Sequence, residues 1–181
     1  MSPKVILRPL ERSDLPFLRD LANDPEVRSN VVGWDWPLSL AGQERWFDAR
    51  VDTLSTRRFI IEDDSQRSVG MTGLWDLDWH NRNALTAMKL GGTEAARGRG
   101  LGTAAIHLLM EFAFNDVGLE RLYSGILAHN EVSLAAYVRK SGWSEEGRLR
   151  GHIWRGGEYV DVIQVGIVRA DYLSWARARD Q

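Results

Sequence analysis

The sequence predicts a mixed α/β domain built around one strand–helix–strand unit with hairpins on both sides. Three observations carry this. Residues 97–102 read Arg-Gly-Arg-Gly-Leu-Gly and join a turn-free stretch, 84–90, to a helical pattern, 101–115. In that pattern Leu101, Ala104 or Ala105, Leu108, Leu109 and Phe112 recur at helical spacing. A further extended stretch, 121–127, follows, so the helix is a crossover between parallel strands. The flanking segments turn back at Asp63-Asp64-Ser65 and at Arg155-Gly156-Gly157, which are hairpin signals.

The elements follow in order. Residues 5–9 read as a first strand. Ser13 caps a helix to about Asn23, stopped before Asp24-Pro25. Ser39 begins a second helix to about Leu54, bearing Trp46, Phe47 and Val51. Residues 58–63 and 68–75 form the first hairpin. After the central unit, 133–141 is helical, with Asn130 or Ser133 as cap and Gly142 as stop. A last hairpin joins 146–154 to 159–168, and 170–179 is a terminal helix.

Composition narrows the class. At 181 residues the chain fits one domain with a sizeable core, residues 1–181. A net charge of −2 offers no general attraction to nucleic acid or anionic membranes. The absence of cysteine excludes disulfides, thiolate metal sites and a cysteinyl-enzyme intermediate. It also fits a reducing cytoplasm, as does the lack of an apolar signal core or bilayer-length apolar run. The eight tryptophans are the unusual count.

The glycine-rich loop narrows the ligand. The first amides of a helix lack internal partners and carry the positive end of its dipole, which makes an anion site. Arg97 and Arg99 add fixed charge suited to phosphate. A Walker loop requires Lys-Ser/Thr after the last glycine, where Thr103-Ala104 stands. A dinucleotide fingerprint requires Gly or Ala where Thr103 is, and it belongs to an early strand.

About thirty residues on, Asn130, Ser133 and Tyr137 lie along one helical edge, followed by Gly142-Trp143. On residues alone, Asn130 and Ser133 are equally helix caps, and Tyr137 is a core tyrosine packed on Trp143. Taken together, Arg97-x-x-Gly100-x-Gly102 and Asn130-x-x-Ser133…Tyr137…Gly142-Trp143 resemble the GNAT acyl-CoA-dependent acyltransferases. Leu7-Arg8-Pro9-Leu10 with Asp14, Asp24-Pro25-Glu26-Val27, residues 69–74 and residues 157–162 are similar to the RimJ/RimL-like branch. The resemblance implies a mixed, mostly antiparallel sheet of six to seven strands with helices on both faces. It also implies a central parallel pair that splays to admit the pantetheine arm. The implied activity is direct acetyl transfer from acetyl-CoA to an amine, with no metal. The alternative is a domain that senses acyl-CoA without turnover. Relatives in that branch often form homodimers.

Site expectations follow from the resemblance. The amides of Gly98, Arg99, Gly100, Leu101, Gly102 and Thr103 would hold the pyrophosphate, with Arg97. Leu90, Gly91 and Gly92 would meet the pantetheine, a close approach that glycines permit. Asn130 and Ser133 would bind the donor, and Lys140 or Arg139 would reach the 3′-phosphate. Tyr137, with Ser133 beside it, is the expected catalytic group. A phenol with pKa about 10 is protonated at neutral pH and can protonate the departing thiolate. Many relatives carry a fourth-strand glutamate as base, where this chain has Ala87. Trp34, Trp36, Asp76, Trp79 and His152 form the expected acceptor wall, mixing aromatic surface with charge. With no strong base, an α-amine, pKa about 7.7–8.0, or another low-pKa amine is favoured over an alkylamine at about 10.4. The expected acceptor is a small-molecule amine or a protein N-terminus.

Overall fold

The computed structural model describes residues 5–50, 53–91 and 98–179. Gly92 and Arg97 of the expected donor site lie outside them. Seven strands form one sheet in the order β1-β2-β3-β4-β5-β7-β6. They are β1 (Ile6–Pro9), β2 (Arg57–Glu62), β3 (Ser68–Asp78), β4 (Asn83–Leu90), β5 (Arg121–Leu127), β6 (Ser144–Arg155) and β7 (Glu158–Val168). All neighbours are antiparallel except β4 and β5. The helices are α1 (Leu15–Asn23), α2 (Pro25–Asn30), α3 (Leu40–Arg50), α4 (Leu101–Glu111), α5 (Glu131–Leu134) and α6 (Arg169–Arg179).

The sheet is buried on both faces, which is why its central strands are nearly continuous apolar runs. On one face Leu18 and Leu21 of α1 and Val27 of α2 pack with Ile60 and Met71. On the other, Ile106, Leu109 and Met110 of α4 pack with Leu74, Ala84, Leu122 and Val165. Tyr172 of α6 stacks on Phe114 at 4.7 Å between ring centres and closes that core.

Three local departures from the sequence expectation have physical causes. Asp24-Pro25 ends α1 but also starts α2. The Asp24 carboxylate accepts from the amides of Glu26 (2.8 Å) and Val27 (3.4 Å), and proline suits a first helical position. Ser13 does not cap α1. It lies in a 3-10 turn, Arg12–Asp14, in which the Glu11 amide donates to Asp14 Oδ2 at 2.8 Å. Asp14 is nearly buried; burial would raise its pKa, but Arg8 and the Glu11 amide together hold it below the usual range. The segment after Asn130 is one α-helical turn followed by a π-helical turn, Ala135–Arg139. The wider turn holds Tyr137, and such bulges recur at functional sites. No described helix is long and apolar enough to cross a membrane.

Candidate active site

The site begins where β4 and β5 part. Their pairing covers Asn83–Leu85 against Arg121–Tyr123 and stops. Just past it, the Ser124 hydroxyl donates to the Thr86 carbonyl at 2.7 Å, a side-chain bond in place of the ladder. On the other edge, Thr72 Oγ1 donates to the Ala87 carbonyl at 2.8 Å, so β4 stays fixed to β3 while β5 departs. A cleft of about 590 Å³ opens there, between the N-terminus of α4 and the segment 129–140. A smaller cavity of about 40 Å³ continues between the strands, lined by Ala87, Lys89, Ser124, Asn130, Ser133 and Tyr137 among others.

The α4 end of the cleft is built from backbone. Gly98 (φ +71°) and Gly100 (φ +75°) both take the left-handed conformation that favours glycine, and Gly100 starts the helix. Gly98, Gly100, Leu101, Gly102 and Thr103 line the cleft. A Cβ on Gly102 would stand 2.8 Å from Leu90 Cδ1, so glycine keeps the cleft open between these residues. The Leu101 side chain itself is core. Arg99 is expected at the phosphates, but the structure turns its guanidinium away. It donates to Asp64 at 3.1 Å and lies 3.6 Å from Asp63 at the β2–β3 turn. Arg67 first, with burial opposing, brings Asp63 down to about 2, so this turn stays anionic at neutral pH. Lys140 does line the cleft.

Leu90 and Gly91 also line it. A Cβ on Gly91 would overlap Leu21 Cδ1, so a larger residue there would have to displace that side chain of α1. Asn130 serves two bonds within the protein. Its Oδ1 accepts from the Ser133 amide at 3.0 Å, and its Nδ2 donates to the Asn30 carbonyl at 2.9 Å. It thus caps α5 and ties it to α2.

Tyr137 is buried, with its ring edge-on to Trp143 at 4.8 Å. Its hydroxyl has no hydrogen-bond partner among the described residues, although the residue lines both the cleft and the small cavity. Burial pushes the phenol above its ordinary pKa; Ser124 opposes this weakly, being committed to the Thr86 carbonyl. A buried hydroxyl without a partner costs about 1–3 kcal/mol. Tyr137 thus packs as a core tyrosine and also lines the cleft. A glycine-led helix start, a cleft beside it and a buried phenol at its inner end suit acetyl-CoA.

The expected acceptor wall is divided. Trp34 is half-buried and stands against Lys89, though it lines neither the cleft nor the small cavity. Its loop is anchored by Arg155 of β6, which donates to the Trp34 carbonyl (3.3 Å) and to Asp35 (2.8 Å). Trp36 is 79% exposed, and His152 is exposed on β6; neither lines the cleft. Asp76 and Trp79 are at the wrong end. β3 runs antiparallel to β4, so its last residues sit beside the start of β4, where β4 and β5 are still paired. Asp76 occupies a bulge at φ +50°, and Trp79 Nε1 donates to the Leu54 carbonyl at 2.9 Å.

Sequence reasoning missed Lys89. It follows Ala87 by two residues and therefore shares its strand face. It is buried, with Nζ 5.0 Å from the Trp34 ring centre and 5.1 Å from that of Trp75. The available signal was a lone cation ending an otherwise uncharged strand.

Comparison with known proteins agrees with this geometry. Residues 4–143 match the Acetyltransferase (GNAT) domain family. The chain is 30% identical over 170 residues to the spermidine N(1)-acetyltransferase of Escherichia coli (strain K12), covering 94% of this chain and 89% of that protein. It is 25% identical to the Vibrio cholerae spermidine N(1)-acetyltransferase, covering 96% and 98%. The crystal structure of the Vibrio cholerae spermidine N-acetyltransferase with CoA and spermine superposes with a TM-score of 0.85 at 26% identity, covering 93% and 98%.

Proposed function

The chain belongs to the GNAT acetyltransferases and is an acetyl-CoA-dependent N-acetyltransferase, and we propose that its acceptor is a polyamine of the spermidine type. The observation that carries this reading is similarity along nearly the full length to spermidine N-acetyltransferases. The carboxylates of Glu26 and Glu131 on the cleft lining suit a polycationic acceptor. Polyamines replace the broader RimJ/RimL-like placement, and with them a primary alkylamine replaces the α-amine. The same reading takes the chain as one domain acting in the cytoplasm.

Acetyl-CoA supplies an activated acyl group whose thiolate leaves when an amine attacks. Within that reaction the amides of Gly98 and Gly100–Thr103 and the Lys140 ammonium hold the phosphates by charge. Tyr137, kept protonated by burial, gives its proton to the departing sulfur. Ser133, which lines both cavities, positions the donor beside Tyr137. Nothing observed favours a sensor that binds acyl-CoA without turnover.

Release of CoA thiol tests the reading directly, because the chain has no cysteine to react with a thiol reagent. Spermidine and spermine should give the highest kcat/KM in a panel with an N-terminal peptide, amino sugars, aminoglycosides and aminoacyl nucleotides. A tenfold preference for any of the other classes would overturn it.

A further inference from the structure

We propose that Lys89 is the base that takes the proton from the acceptor amine, a role for which Ala87 leaves no carboxylate. The inference rests on the amine acetyltransferase activity and not on which amine is used. Lys89 and Tyr137 are both lining residues of the small cavity at the point where the strands part. Nζ is enclosed by the Trp34 and Trp75 rings and makes no hydrogen bond or ion pair with any described residue.

The surroundings contain the charges that decide its titration. Arg58 on β2 faces it, its guanidinium over the Trp46 ring at 4.8 Å. Tyr137 lines the same cavity and is neutral at ordinary pH. β3 presents only Met71, Gly73 and Trp75 on this face. Asp35 lies in the Trp34 loop and is paired with Arg155. Glu26 of α2 lies on the outer cleft. Burial first, and then the Arg58 charge, brings Lys89 down to about 8, while the aromatic rings keep the ammonium form accessible. An amine titrating there is available as a proton acceptor near neutral pH, unlike an ordinary lysine at about 10.4.

The proton balance is complete. The Lys89 lone pair takes one proton from the acceptor ammonium, and the freed nitrogen attacks the thioester carbon. The C–N bond forms and the C–S bond breaks, and the sulfur receives the Tyr137 proton. The second proton of the attacking nitrogen restores Tyr137, and the Lys89 proton leaves to solvent. A charged Lys89 would also repel a cationic acceptor. Activity therefore requires the deprotonated form and rises with pH through the Lys89 pKa.

The chain has three lysines, Lys4, Lys89 and Lys140, so Nζ can be followed by NMR of protein labelled with [ε-13C]lysine. One resonance should titrate near pH 8, vanish in Lys89→Met, and coincide with the acid limb of kcat/KM. Lys89→Met should lower kcat/KM at pH 7 by about 100-fold. Its dissociation constant for acetyl-CoA, measured by calorimetry, should stay within twofold. If Lys89→Met does not fold, Lys89→Arg keeps a cation between the rings but cannot release its proton, and the same loss is expected. A Lys89 resonance titrating above pH 10 would overturn the proposal. So would activity of Lys89→Met or Lys89→Arg within threefold of wild type. Each assay uses the amine that the wild-type enzyme turns over best. Failure of the polyamine reading would appear as a different best amine, with the Lys89 result still interpretable.

Discussion

The two ends of β4 differ in what holds them, and the difference separates scaffold from site. At its start, Asn83–Leu85 pairs with β5 on one edge and β3 on the other. At its end, Met88–Leu90 keeps only the β3 partner, and β5 is replaced by the cavity, Tyr137 and the turn that carries it. Aromatic and acidic residues occur near both ends, but their surroundings give them different work. Trp79 and Asp76 at the paired end finish a hairpin. Trp34 and Lys89 meet at the open end, and the Trp75 ring reaches Lys89 from its place beside Leu85. A polar group without a partner is costly when buried, so an orphaned hydroxyl at the open end marks the place where a ligand completes the structure.

Substitutions at the two ends sharpen this contrast. The largest effect is expected from Tyr137→Phe, which keeps the ring on Trp143 and removes the orphaned hydroxyl. Its kcat should fall by about 100-fold. Its melting temperature should be unchanged or higher, because no hydrogen bond is lost. A melting temperature several degrees lower would place the hydroxyl in the scaffold instead.

Next come Trp34→Ala and Trp79→Ala. Loss of the Trp34 ring should raise acceptor KM about tenfold, the scale of a buried cation–aromatic contact. Trp79→Ala, at the paired end, should move it less than twofold. Equal effects in steady-state kinetics would erase the distinction between the ends.

The smallest expected effect compares two cations at the donor cleft. Lys140→Ala should weaken acetyl-CoA binding about fivefold, on the order of 1 kcal/mol, and less so at high salt. Arg99→Ala should change it less than twofold, since Asp64 and Asp63 already hold that guanidinium. Calorimetric titration at two ionic strengths measures both.

The residues expected to hold the donor were legible because backbone features mark them. Positive-φ glycines at 98 and 100, a helix start and the spacing of Asn130, Ser133 and Tyr137 are local features, written in consecutive residues. The acceptor half was not. Its tryptophans were recognised, but which of them meet depends on strand direction. Antiparallel pairing carries the end of β3 to the closed end of β4, and the Arg155 contacts bring a loop 120 residues away onto Lys89. Likewise Asp24-Pro25 was read as a stop, because the capping bonds that make it a start appear only in three dimensions.

The family, the central strand–helix–strand unit and the glycine-led start of α4 were readable in the residue pattern alone. Periodicity, glycine conformation and short-range spacing are properties of neighbouring residues, and they survive without a fold. Packing across the sheet decided that Arg99 faces an acidic turn, that the Tyr137 hydroxyl has no partner among the described residues, and that Lys89 is buried against Trp34 and Trp75. Burial and charge environment arise from elements distant in the chain, so the protonation states that chemistry depends on were set by packing.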